Sequence, residues 1–179
     1  MLCSDVRGFT NLAQDMDPDD VVDMLNAYFA RLIPVIFAHH GMVDKYVGDA
    51  ILAVFGSPEP DPQHHENAVR AAVGMQAAMR EVNTERTARG LVTCGIGIGV
   101  HCGQVVHGLI GAFEQMEFTV IGDTVNLASR YCDGAPLDEV VLSPEVYARV
   151  WTVVQAEQTT IATKHEGDLV AYRVKELKA

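Results

Sequence analysis

Met42-Val43-Asp44-Lys45-Tyr46-Val47-Gly48-Asp49-Ala50-Ile51-Leu52-Ala53-Val54-Phe55 is two short apolar runs joined through Gly48-Asp49. A glycine at such a junction supplies the backbone freedom of a tight turn, so the stretch predicts a β-hairpin with Gly48 at its tip. What flanks the hairpin sets the fold. Upstream, Val21, Leu25, Tyr28, Phe29, Leu32 and Ile36 recur at helical spacing to about residue 40. Asp17-Pro18-Asp19-Asp20 opens that helix, because Asp17 suits the cap, Pro18 the first turn and the acids the positive end of the dipole. Pro34 lies inside the pattern and is expected to kink the helix or end its regular part, and Gly41 stops it. Downstream, Asp61-Pro62 starts a second helix by the same chemistry, running to about residue 89. Its face of Ala68, Ala71, Ala72, Met75 and Met79 suits close packing on a sheet.

Further outward, a short apolar run precedes Asp5, and residues 91–100 read as a central strand with 104–110 as its neighbour. A helix over about 124–132 follows, then a strand at 139–142, a helix opened by Ser143-Pro144-Glu145, and strands around a loop over 151–174. The order β-α-β-β-α-β is that of a ferredoxin-like split βαβ core. The predicted fold class is therefore α+β, with extra C-terminal strands and helices. The 179 residues suit one domain, 1–179. Only four residues precede Asp5, which leaves a strand there little room, so a domain cut from a longer multidomain protein is expected.

The composition, 49% hydrophobic and 21% charged, is that of a globular chain rather than a disordered one. A net charge of −11 argues against a nucleic-acid partner, which would want a basic face. It does not argue against a nucleotide held through metal ions, because the metals bring the positive charge. Cys3, Cys94, Cys102 and Cys132 form no C-x-x-C pair and read as buried or half-buried thiols of a reducing compartment. No uninterrupted apolar run reaches the ~18 residues of a membrane span, and there is no signal-peptide pattern. The expected location is cytoplasmic, which leaves open membrane tethering of the parent protein.

Three segments carry candidate chemistry. Asp5 and Asp49 each border an apolar run, and if strand 1 lies beside the hairpin, carboxylates 44 positions apart can meet. Carboxylate oxygens are hard ligands suited to magnesium, and two such metals can serve an in-line phosphoryl displacement. By spacing alone, a hairpin-turn Asp and a strand-end Asp acting as turn formers fit better. Val6 to Thr10 turns from strand towards helix, with Gly8 allowing close backbone approach and the N–H groups of a helix start suiting phosphate. Asn126 and Arg130, four apart, share a helix face suited to a phosphoryl group that gains charge, although in isolation a cap asparagine and a surface arginine fit better. Gly95-x-Gly97-x-Gly99 lies within a strand and reads as close packing, not as a dinucleotide loop. His64, His65, His101 and His107 lack partners at metal spacing and read as solvated or core histidines.

Taken together, Ser4-Asp5-Val6-Arg7-Gly8-Phe9-Thr10, Lys45-Tyr46-Val47-Gly48-Asp49-Ala50, Gly97-Ile98-Gly99-Val100-His101-Cys102-Gly103 and Val120-Ile121-Gly122-Asp123-Thr124-Val125-Asn126-Leu127-Ala128-Ser129-Arg130 closely resemble the catalytic domain of class III nucleotide cyclases, over residues 1 to about 172. The resemblance implies that Asp5 and Asp49, with Val6 between strand and turn, hold two Mg2+ or Mn2+ ions per active site. Gly8, Phe9 and Thr10 would meet the substrate, Asn126 would orient the ribose, and Arg130 would steady the transition state at the α-phosphate. Lys45 and Thr119 match the base-reading pair, with further contacts from the main chain near Thr119 and Ile121. Lysine at the first of these positions goes with adenine and glutamate with guanine, so the implied substrate is ATP and the activity that of an adenylate cyclase.

Threonine at the second position is typical of a subclass holding bacterial and bicarbonate-responsive soluble cyclases, which makes bicarbonate an expected regulator. Members of the family share each site between two chains, one giving the aspartates and the other Lys45, Thr119, Asn126 and Arg130. Both sets are complete here, which implies a homodimer with two equivalent sites, and Lys45 should face a different site from Asp49. The rivals are a guanylate cyclase of the same fold and a non-catalytic nucleotide-binding or dimerisation module. Three departures stand out. Lys164 fits the first lysine of a C-terminal triphosphate-binding stretch, but Glu166 occupies its second basic slot. Gln115 stands for an arginine, and Phe118 for the usual tyrosine.

Overall fold

Asp17 accepts the main-chain N–H of Asp19 at 3.0 Å with Pro18 in the first turn, so the long helix α2 (Pro18–Ala38) begins where its sequence favours a start. Before it stand β1 (Leu2–Val6) and the short α1 (Phe9–Gln14). After it come the hairpin strands β2 (Gly41–Val47) and β3 (Ala50–Phe55), then α3 (His64–Ala88) and β4 (Ile96–Val100). The computed structural model describes residues 1–163 and 167–178.

These elements give the expected β-α-β-β-α-β order. β1 pairs antiparallel with both β3 and β4, and β2 with β3, so the core sheet runs β2-β3-β1-β4. On one face α2 and α3 supply Met24, Tyr28, Leu32, Ile36, Met75 and Met79, all buried against Leu2, Ile51, Ile96 and Ile98. Burying a side chain of this size is worth about 1.5–3 kcal/mol each. α2 is long and apolar enough to cross a membrane by length and composition, but its Met24-Tyr28-Leu32-Ile36 stripe forms part of this core. The same stripe continues on both sides of Pro34, which explains why the helix runs through the proline to Ala38 instead of ending there.

The rest extends the sheet. β7 (Val140–Leu142) joins β4 in parallel. β8 (Val154–Thr163) and β9 (Gly167–Leu177) complete the order β2-β3-β1-β4-β7-β9-β8. α4 (Asp123–Asp133) lies on the opposite face, and α5 (Pro144–Val150) is capped by Ser143, whose hydroxyl accepts the Val146 N–H. Gly99 of β4 permits α4 to approach this closely, because a Cβ there would collide with the backbone of Cys132. Cys3 and Cys132 are buried, Cys94 and Cys102 half-buried, and all four are free thiols.

Two strand expectations are corrected. The central strand starts at Ile96, not at residue 91. Cys94 N–H donates to the Tyr28 hydroxyl at 3.0 Å, Cys94 O accepts from Asn83 at 2.7 Å, and Val92 O accepts from Arg86 at 2.8 Å. Helix side chains therefore satisfy this backbone in place of a ladder. Residues 104–110 do not neighbour β4, whose two edges are taken by β1 and β7. Instead β5 (Val106–Ala112) and β6 (Gln115–Ile121) form a separate two-stranded ribbon. The second helix also begins later than Asp61, whose carboxylate instead closes the preceding turn through Gln63 N–H and Asn67 Nδ2, each at 2.8 Å.

Candidate active site

The β1–β3 pairing sets Ser4 opposite Ile51, which carries the hairpin tip across the end of β1. Gly48 takes the left-handed conformation the turn requires, φ 63°, and Asp49 follows it. Asp49 Oδ2 then accepts the main-chain N–H of Val6 at 3.2 Å. Burial first, and the facing Asp49 charge second, push the Asp5 carboxyl up to about 6, with the Arg7 guanidinium opposing both. The two aspartates are thus brought together.

Val6 itself is buried and meets Asp49 through its N–H, so the group it can offer a hard cation is its carbonyl oxygen. Two facing, partly buried carboxylates with a guanidinium paired to Asp5 leave negative charge uncompensated, and their oxygens suit magnesium or manganese, so these residues fit a divalent cation. Among the described residues no cluster of three His, Cys, Asp or Glu side chains forms a metal site. Any remaining ligands would be main-chain, water or substrate oxygens.

Arg7, which sequence reasoning passed over as a part of a motif, braces Asp5. Its Nη1 donates to Asp5 Oδ2 at 2.9 Å, and its Nη2 donates to the carbonyl of Cys132 on α4. The guanidinium crosses β4 over Gly97, where any Cβ would displace it. This gives the Gly97 of the strand glycine pattern a role beyond helix packing.

Lys45 lies on β2 with Nζ 3.0 Å from Glu117 Oε1 and 3.9 Å from Asp44 Oδ2. Its strand is bulged between Val43 and Lys45, which leaves Asp44 out of the ladder and turned towards the ribbon. There Asp44 accepts the Thr119 hydroxyl at 2.9 Å and the Val120 N–H at 3.1 Å, its side chain wholly buried. The expected base-reading pair, Lys45 and Thr119, is therefore assembled within one chain by a carboxylate that sequence reasoning did not single out. The available signal was a charged residue interrupting an apolar hairpin strand.

A cavity of about 430 Å³ opens between β1, the hairpin and α4, with Asp5, Lys45, Val120 and Ser129 on its wall. Asn126 and Arg130 both stand on α4, Asn126 exposed and Arg130 half-buried. The α4 stripe facing the cavity is Val125, Ser129 and Asp133, so Asn126 and Arg130 occupy the adjoining stripe and do not line it. Gly8 and Thr10 are exposed, while Phe9 packs against the core. Ile121 is exposed at the end of β6. Lys164 lies outside the described residues, as does Glu166.

None of His64, His65, His101 and His107 lines this cavity. His107 pairs with Ser57 at 2.8 Å, His101 sits 3.6 Å from Glu145, and burial lowers His65 to about 4.

A split βαβ sheet carrying paired carboxylates where strand 1 meets the hairpin is an arrangement suited to metal-assisted phosphoryl transfer. The chain belongs to the adenylate and guanylate cyclase catalytic domain family, whose family model matches residues 1–175. It is 35% identical over 127 residues to "Adenylate cyclase 1" of Rhizobium meliloti (strain 1021), covering 71% of this chain and 19% of that protein. It is 40% identical over 134 residues to "Adenylate cyclase" of Anabaena cylindrica, covering 73% and 26%. The chain thus spans about a fifth to a quarter of the length of these two relatives.

Among solved structures, the guanylyl cyclase Cya2 superposes with a TM-score of 0.92 at 34% identity, covering 99% of this chain and 91% of that one. The adenylyl cyclase CyaB from P. aeruginosa gives 0.92 at 28% identity, covering 99% and 93%.

Proposed function

We propose that this domain is an adenylate cyclase, converting ATP to 3′,5′-cyclic AMP and pyrophosphate at sites shared between two copies of the chain. The observation carrying the reading is the facing Asp5–Asp49 carboxylate pair where β1 meets the hairpin tip. In the reaction the ribose 3′-oxygen bonds to the α-phosphorus, the bond from that phosphorus to the bridging oxygen breaks, pyrophosphate leaves and the hydroxyl proton is released. Two divalent ions, held by Asp5, Asp49 and the Val6 carbonyl, would lower the pKa of the attacking hydroxyl and neutralise phosphate charge.

The chain's own contributions are binding and orientation. Lys45, three donors and no acceptor, meets the adenine N1 acceptor, and Thr119 reads the neighbouring 6-position. Asn126 holds the ribose, and Arg130 carries charge that stabilises the α-phosphate as it gains negative charge. The exposed main chain at Gly8 to Thr10 approaches the phosphates, and Ile121 the base edge.

Support for sharing between chains comes from two placements. Asn126 and Arg130 lie off the cavity wall that holds Asp5, and the β5–β6 ribbon exposes Leu109, Phe113, Met116 and Phe118 in one apolar stretch. Although Asp5 and Lys45 line the same cavity in one chain, in the dimer Lys45 would serve the site opposite its own Asp49. Cyclase assays with ATP and GTP, each with Mg2+ or Mn2+, test the reading. Cyclic AMP formation preferred over cyclic GMP is expected, and a preference for GTP or no turnover of either overturns it.

A further inference from the structure

We propose that Asp44 is a specificity-determining positioning residue, which fixes the Thr119 hydroxyl as an acceptor and so selects the amino edge of adenine. The inference rests on the reading above that Lys45 and Thr119 meet the base.

A free threonine hydroxyl is both donor and acceptor, and would serve a purine 6-amino or a 6-oxo group alike. Here it is not free. Thr119 Oγ1 donates to Asp44 Oδ2 at 2.9 Å, and the other carboxylate oxygen is held by the Val120 N–H at 3.1 Å. A carboxylate accepts only, so the Thr119 proton is committed to Asp44 and the hydroxyl turns lone pairs alone towards a ligand. The Asp44 side chain is wholly buried and Thr119 is 4% exposed, so water does not compete for these bonds.

Lys45, adjacent in sequence, adds donors with no acceptor. The pair thus reads donor then acceptor, the complement of adenine N1 and its 6-amino group. Hypoxanthine and guanine present the reverse, an N1–H donor and a 6-oxo acceptor, and would set two acceptors against each other at the 6-position. A Lys45-based site with an unfixed hydroxyl would lose that second rejection.

Asp44→Asn tests this with little change of shape. The amide oxygen can still accept from Val120, while its NH2 donates to Thr119 Oγ1 and frees the hydroxyl proton to face the base. ATP and ITP are compared, because they differ only at the N1 and 6-position edge. The ratio of kcat/KM for ATP over ITP is expected to fall about tenfold or more in Asp44→Asn, the scale of one buried polar mismatch. In a Thr119→Val background, Asp44→Asn should leave the ratio where Thr119→Val put it.

A native protein that favours ATP, with the ratio unmoved in folded Asp44→Asn, overturns the inference and leaves the adenylate reading standing. A native protein that favours ITP and GTP overturns both. Should Asp44→Asn not fold, Thr119→Ser and Thr119→Val on the native Asp44 decide. The ratio should be kept in the first and lost in the second, and a ratio insensitive to Thr119→Val overturns the inference.

Discussion

Asp49 Oδ2 accepts the Val6 N–H at 3.2 Å, so a carboxylate at a hairpin tip is clamped against the strand that carries Asp5, 44 positions earlier in the chain. The clamp is made by the charged group's oxygen, not by its charge, and the two can be separated by substitution. An Asn in place of Asp49 retains an acceptor for Val6 while removing the charge that faces Asp5. We predict that Asp49→Asn lowers cyclic AMP formation at least about 100-fold, the scale lost when a group acting on transition-state charge is removed. The melting temperature without metal should equal or exceed that of the native chain, and its rise on adding Mg2+ or Mn2+ should vanish. A melt that collapses without metal would mean the aspartate is chiefly structural.

The same pair predicts a pH signature. The folded pKa of Asp5 is raised from 3.8 to about 6, so its contribution to stability is fully present below the unfolded value and is lost as pH rises through about 6. Asp49→Asn removes one cause of that rise. The stability advantage of the variant over the native chain, from urea unfolding in chelator, should therefore be small near pH 4 and grow as pH passes about 6. An advantage independent of pH would contradict the facing-charge account.

Lys45 is held 3.0 Å from Glu117 at the cavity wall. On the proposed reading, removing its ammonium takes a charged donor from the base, and such hydrogen bonds are worth about 1.5–3 kcal/mol. Lys45→Ala should raise KM for ATP or lower kcat/KM by roughly 10- to 100-fold, with far less effect on 1-deaza-ATP, whose base has no N1 acceptor. Equal losses for all nucleotides would point to a fold defect.

The ribbon offers a test of assembly that does not touch the chemistry. Phe113 is 97% exposed and Leu109 63% exposed. Leu109→Asp with Phe113→Asp should shift the chain towards monomer in sedimentation and make activity more dependent on protein concentration. Undiminished association would place the dimer interface elsewhere.

Much of the fold was legible because its signals are local. The Asp17-Pro18 start and the Gly48 turn each lie within a few residues, and both stand where the sequence puts them. What was not legible is settled by partners distant in the chain. Residues 91–95 look like strand, but Tyr28, Asn83 and Arg86 take their hydrogen bonds. Residues 104–110 look like a sheet neighbour, but β1 and β7 already fill both edges of β4.

The site divides in the same way. Asp5 and Asp49 could be suspected from their positions beside apolar runs, and the structure brings them together. Asp44 and Arg7 were not singled out, because what each does depends on partners distant in the chain. One depends on a bulge and a bond across 75 positions, the other on the absence of a side chain at Gly97.

In the proposed dimer a complete site needs two chains. This is tested most directly by mixing Asp49→Asn with Arg130→Ala, each expected to be nearly inactive alone. A mixed dimer carries both lesions in one site and none in the other, so an equimolar mixture that exchanges freely should recover about a quarter of native activity. Activity that stays at the level of the separate variants, while differently tagged chains are shown to associate, would contradict the shared site.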